Sequence, residues 1–192
     1  MQLINIEAKN FRCVRDISLP IHELTTLIGE NDSGKSSILD LVDLVLNEKQ
    51  PDENDFCQEG DESFSECIEV VLTFELDETA LPAAREFTAQ DGKLHLRKSF
   101  SRSSDETYYL GQRPVDDRLN QDFKSMLVGQ LDEILEELGL EYQGEGRINK
   151  QKRLDMIEEY RKQSDMIEDW IPVAHKSLRN LLPRFERYSA LD

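Results

Sequence analysis

Basic residues are scarce in this chain. Lys and Arg number 23 against 40 Asp and Glu, which leaves a formal net charge of −17 over 192 residues. A surface built to grip nucleic acid is basic, so this composition excludes broad DNA contact by this segment alone, though not a local basic patch. Its simplest consequence is solubility. Cysteine is scarce too: Cys13, Cys57 and Cys67 make an odd set with no C-x-x-C pair, which excludes the common zinc and redox spacings. No apolar run approaches the roughly 20 residues of a membrane span. The N-terminus lacks a basic stretch followed by an apolar block, the mark of a signal peptide. These absences predict a cytoplasmic protein with reduced thiols and no membrane partner.

Other chemistries are missing as well. His22, His95 and His175 lie in separate segments without H-E-x-x-H spacing, so they read as surface or structural residues. There is no G-x-S-x-G elbow, no internal repeat and no low-complexity segment. The acidic stretch 48–66 carries Asp52, Glu53, Asp55, Glu59, Asp61, Glu62 and Glu66. It lacks the calcium-loop spacing and glycine, and reads as a solvated loop.

What is present begins with strand patterns. Leu3–Glu7 and Cys13–Ile21 alternate, and the short apolar run Leu24–Ile28 ends at a glycine, as a buried strand feeding a turn does. Lys35–Asn47 reads as a helix with Ile38, Leu39, Val42, Val45 and Leu46 on one face, ended by Pro51. Cys67–Leu76 is a clear strand. Lys93–Phe100 and Thr107–Leu110 predict a hairpin across residues 101–106, in which Tyr108 and Tyr109 serve as packing residues. The middle of the chain is therefore an antiparallel β layer. Beyond residue 115 the pattern turns helical. Leu119, Phe123, Met126, Leu127, Leu131, Ile134, Leu135 and Leu138 form one amphipathic stripe stopped by Gly139. A second helix is predicted over Gln151–Trp170, and a third between Pro172 and Pro183.

One motif carries chemistry. Gly29, Glu30, Asn31, Asp32, Ser33, Gly34, Lys35, Ser36 and Ser37 satisfy G-x-x-x-x-G-K-[ST], between an apolar run and an amphipathic helix. Gly29 and Gly34 let the backbone turn tightly, so that the main-chain amides of Asn31, Asp32 and Ser33 face an anion. The start of the following helix adds free N–H donors and a partial positive charge. The motif predicts ATP as cofactor, with Lys35 as the catalytic cation bridging the β- and γ-phosphates. Ser36 would be the ligand of Mg2+, and Ser37 would lie near the α-phosphate. No N-K-x-D motif follows, which argues against a GTPase.

The phrase Lys9, Asn10, Phe11, Arg12 ends the first strand, a second strand follows, and the P-loop comes next. This order, with Leu27–Ser37, resembles the ABC-type ATPases of the SMC and RecF group, and most of all the OLD family of ATP-dependent nucleases. Asn54, Asp55 and Phe56, the strand around Ile68–Leu76, and Leu182–Tyr188 also fit that family. The resemblance implies an α/β P-loop ABC-type ATPase N-terminal lobe with an antiparallel β layer and a C-terminal helical extension. The expected division is a lobe over 1–115 and a helical segment over 116–192, serving as an insertion or in dimerisation. It implies nucleotide contact by Arg12, whose own residue-level reading is equally a strand-end arginine making surface contacts. It also implies a glutamine beside the metal and attacking water, for which Gln112, otherwise a turn residue, is the candidate.

The family's signature segment, its Asp-Glu-ended Walker B strand and its Toprim nuclease domain have no counterpart after Ser37. The expectation is the front part of a larger protein, or a short or split relative. The implied function is ATP binding that regulates a DNA nuclease, possible in phage defence by family setting. A second ATPase head or a homodimer would complete the site, and DNA would be met by other parts of the protein. The alternatives are an SMC/RecF-like repair ATPase segment without nuclease activity and a non-catalytic nucleotide-binding interaction module.

Overall fold

A computed structural model of the chain describes residues 1–59, 63–142 and 149–188. Asp61 and Glu62 of the acidic stretch lie outside the described residues. Ten residues, Gln2–Phe11, form β1, and a tight turn leads to β2 (Val14–Pro20). The helix α1 spans Lys35–Leu46. A short pair follows, β3 (Gln58–Glu59) with β4 (Ser63–Phe64), then β5 (Cys67–Glu75), α2 (Leu81–Ala84), β6 (Leu94–Ser101) and β7 (Asp105–Pro114). Next come α3 (Val128–Glu137), α4 (Lys150–Gln163), β8 (Met166–Pro172) and α5 (His175–Leu178). The architecture is mixed α/β around a six-stranded sheet of order β2-β1-β5-β6-β7-β8.

The sheet follows from period-two alternation. Ile68, Val70, Leu72 and Phe74 of β5 are fully buried, and in register they oppose Phe100, Lys98, Leu96 and Leu94 of β6. On the other side of β5, Leu72 and Val70 pair with Ile6 and Ala8 of β1. These residues share one face, and Leu41, Val42, Leu44 and Val45 of α1 belong to the same core. The predicted hairpin forms between β6 and β7, with Phe100 opposite Asp105 and Leu96 opposite Tyr109.

Four expectations need correction. Leu24–Ile28 forms no strand and joins no sheet among the described residues. Leu24 is 87% and Ile28 91% exposed, because a strand becomes buried only when it has a neighbour to pair with, and β1 already has β2 and β5 on its two edges. The buried face of α1 is rotated from the predicted one: Leu41 and Leu44 join Val42 and Val45 inside, whereas Leu39 is 38% exposed. The stripe 119–138 is not one helix. Residues 117–119 form a 3-10 turn, and α3 begins only at Val128, since the Asp122 and Gln121 carbonyls accept from Ser125 and Phe123 in tight turns that compete with helix. The helix predicted to Trp170 stops at Gln163, and Met166–Pro172 is a strand.

The chain divides into two compact units, residues 1–111 with 170–192, and residues 112–169. The first holds the sheet core. The second has its own core of Leu119, Phe123, Leu131, Ile134, Leu135, Leu138 and Ile157, and is tied by Arg153, which bonds Asp132 and lies over the Tyr142 ring at 4.0 Å. Gly139, with φ of 71°, ends α3 where a left-handed residue is needed. Among the described residues no helix is long and apolar enough to cross a membrane.

Candidate functional site: a phosphate-sized cavity at the start of α1

The site lies within the first unit, between the β1–β2 turn and the start of α1. Three backbone positions shape it. Gly34 has φ of 90° and caps α1, a conformation that side chains disfavour. A Cβ there would stand 3.1 Å from Cys13 Sγ and 3.5 Å from Val14, so the glycine also permits the close approach of the two segments. Asp32 (φ 63°) and Arg12 (φ 51°) are left-handed as well. A Cβ on Gly29 would lie 2.8 Å from Ser33 Oγ. Gly34 is thus required by this turn, whereas a side chain at Gly29 would need only the Ser33 hydroxyl to swing away.

The first helical bond of α1 runs from Ile38 N to Gly34 O at 3.1 Å. The main-chain N–H groups of Lys35, Ser36 and Ser37 precede it and have no intrahelical acceptor. Lys35 folds back over its loop. Its Nζ donates to Gly29 O at 2.9 Å, to Ser33 Oγ at 3.2 Å and to Glu30 O.

A cavity of about 650 Å³ opens beside these groups, lined by Arg12, Cys13, Asn31, Asp32, Gly34, Lys35, Ser36 and Ser37. Of the residues predicted from sequence, Arg12, Asn31, Asp32, Gly34, Lys35, Ser36 and Ser37 are brought together here. Gly29 and Ser33 sit behind the lining, as acceptors for Lys35. Gln112 belongs to the other compact unit, is exposed, and is not among the lining residues.

Sequence reasoning missed the partners of Arg12. Its Nε donates to Asp55 Oδ1 at 2.7 Å and its Nη1 to Asp40 Oδ2. Burial works against the charged guanidinium, but the bonds to Asp55 and Asp40 outweigh it and raise the Arg12 pKa above its ordinary value. Cys13 was likewise unforeseen as a lining residue. The signal for Asp55 was the segment Asn54–Phe56, noted only as a family likeness; nothing local pointed to Asp40.

Chemically, the arrangement offers two cations, a run of unpaired amides and two serine hydroxyls around a space large enough for a polyphosphate. The glycine-only turn, which a Cβ would fill, fits such a group. Among the described residues no group of three or more His, Cys, Asp or Glu side chains is gathered that would hold a metal on its own, so a cation would rely on Ser36 and on the phosphates themselves.

Over 49 residues the chain is 47% identical to the OLD nuclease of Thermus scotoductus; that stretch is 26% of this chain and 9% of the relative's length. A solved structure from work on ATP-driven dimerization and DNA-stimulated activation of SMC ATPases superposes with a TM-score of 0.48 at 19% identity, covering 58% of this chain and 70% of that one. The AAA ATPase domain family matches residues 1–190, so nearly the whole sequence takes part, and the chain belongs to that family.

Proposed function

We propose that this chain binds ATP with Mg2+ in the cavity at the start of α1, as the ATP-binding part of a larger OLD-like protein in which nucleotide controls a DNA nuclease. The observation that carries the nucleotide reading is the convergence, in one cavity of about 650 Å³, of Lys35, the opening amides of α1 and the Ser36 and Ser37 hydroxyls. The Lys35 ammonium, held by its own loop, exchanges one acceptor for a phosphate oxygen; a bond between two ions is about twice as strong as a neutral one. Ser36 at the first turn supplies a hydroxyl to the metal, and Ser37, 7% exposed, lies deeper. Bound Mg2+ would supply charge neutralisation between the phosphates. The identity with the Thermus OLD nuclease supports the nuclease-linked reading.

These groups approach a triphosphate from one side only. The charge of a transition state needs donors from several directions, so a second ATPase head, in a homodimer or a partner, would complete the site. The 192-residue chain alone is then a slow ATPase or an inactive one, and fast turnover by the purified chain would defeat this half-site reading. The test of binding is calorimetry with ATP and Mg2+ on the native chain and on Lys35→Ala. Loss of one charge-assisted bond should weaken binding about tenfold or more; equal affinities would overturn the nucleotide reading.

A further inference from the structure

Two of the stretches that fit the OLD family, Asn54–Phe56 and Leu182–Tyr188, have no part in the cavity wall. The structure links both to Arg12, the first directly through Asp55 and the second through Asp40, which Arg12 shares with Arg187. Arg12 is held to Asp55 twice, by its main-chain N–H to Asp55 O at 2.8 Å and by its Nε to Asp55 Oδ1 at 2.7 Å. Asp55 is itself 6% exposed and locked in a capping box, with Asp52 N donating to its Oδ2 at 2.9 Å. The neighbouring bond from Cys57 N to Asn10 O at 2.9 Å and the bridge between Phe11 and Phe56 pin the same turn to β1. The guanidinium carbon also lies 4.8 Å from the Phe11 ring centroid. From α1, Asp40 accepts from Arg12 through one oxygen and from Arg187 through the other.

This anchoring is oriented. A guanidinium has five N–H donors; here Nε and one donor of Nη1 are engaged, and Nη2 has no partner among the described residues. The Arg12 side chain is 39% exposed and lines the cavity. Asp40, shared with Arg187, gives only part of its charge to Arg12. The cations Lys35, Arg12 and Arg187 are matched in number by the carboxylates Asp32, Asp40 and Asp55, so what the lip offers an anion is the Nη2 edge of Arg12 and not a surplus of charge.

We propose that Asp55 and Asp40 are positioning residues that present Arg12 as a second phosphate-binding cation at the lip of the P-loop cavity. Arg187 adjusts that grip through Asp40. This rests on the nucleotide reading above. It gives Asn54–Phe56 and the segment through Arg187 a common purpose, that of aiming one fork of donors.

The test is a double-mutant cycle on the 192-residue chain, reading affinity for a non-hydrolysable ATP analogue with Mg2+ by calorimetry, with melting temperature in parallel. The variants are Arg12→Ala, Asp55→Asn, Asp40→Asn and each carboxamide combined with Arg12→Ala; Lys35→Ala is the reference. Arg12→Ala should weaken binding about tenfold. Asp55→Asn and Asp40→Asn should each weaken it several-fold, yet add nothing once Arg12 is gone. Asp55→Glu should restore part of the affinity. If Lys35→Ala binds as the native chain does, the nucleotide reading fails and this inference falls with it. Where Lys35 matters but the Asp55 and Arg12 losses multiply independently, only the positioning role is overturned. It is also overturned if both carboxamides bind normally. Asp40→Asn keeps the question open to refutation should Asp55→Asn melt the capping turn.

Discussion

Lys98 shows how a single side chain can run against its strand's pattern. It is 2% exposed on the core face of β6, between Val70 and Thr107 in register, with its Nζ 5.2 Å from the Phe100 ring centroid. Its charge is met by Asp105 Oδ2 at 2.9 Å, and Gln50 donates to the other oxygen at 2.8 Å. Asp105→Ala strands an ammonium that is 2% exposed and should cost about 3 kcal/mol, whereas Lys98→Met leaves a carboxylate that is 30% exposed and still bonded by Gln50, and should cost much less. Urea denaturation of both variants decides it; equal costs would show the pair to be ordinary packing. The Lys98 hydrogen bond holds the Asp105 carboxyl below the usual carboxylate range, burial opposing and Gln50 assisting. A depressed folded pKa stabilises above the unfolded value and is lost as pH falls through the folded one. The contribution is therefore complete above about pH 4 and disappears in more acid solution. Melting temperature followed from pH 6 to pH 2 should fall less steeply in Lys98→Met than in the native chain.

At the scale of elements, pairing and not composition decides what is buried. The run Leu24–Ile28 has the residues of an inner strand, yet Leu24 and Ile28 stand in solvent. Leu24→Ser and Ile28→Ser should each change stability by less than about 0.5 kcal/mol. Leu72→Ala, at the centre of β5 and fully buried, should cost about 2–5 kcal/mol. Thermal melts of the three variants check the contrast, and a loss from Leu24→Ser comparable to that from Leu72→Ala would place the segment inside the core. The element α1 joins both halves of the picture: its first turn faces the cavity, while Leu41, Val42 and Val45 anchor it to the sheet. A rigid helix seated on a sheet holds its opening amides fixed, which a loop alone would not do.

For the molecule as a whole, the excess of acid matters most to how nucleotide arrives. A body of net charge −17 repels an anionic ligand at long range, although Lys35 and Arg12 line the cavity. Salt screens the long-range part, with a Debye length of about 10 Å at 0.1 M. Association of ATP with Mg2+ should therefore speed up as NaCl rises from about 20 to 200 mM, the reverse of a basic binding protein. Stopped-flow mixing with a fluorescent ATP analogue measures it. A rate that falls with salt would show that Lys35 and Arg12 govern the encounter.

Much of the cavity was legible in advance because a P-loop is a local instruction. Gly34 must be left-handed, Lys35 must follow it, and α1 must begin there, all within nine consecutive residues. The β5 strand and the β6–β7 hairpin were legible for the same reason, since alternation and a short turn are local properties. The rest was not. Asp40 lies 28 residues from Arg12 and Asp55 lies 43 residues away, and no spacing rule connects them. Met166–Pro172 shows no clear period. It became a strand through its place beside β7 and the stacking of Arg97 on Trp170 at 4.8 Å. By itself, then, the sequence determined the glycine turn that opens α1 and the alternation that builds a sheet, because backbone conformation and side-chain period act between near neighbours. Which strands found partners, which face of α1 went inside, and which carboxylates hold Arg12 were decided only by tertiary structure, because those choices depend on contacts between residues far apart along the chain.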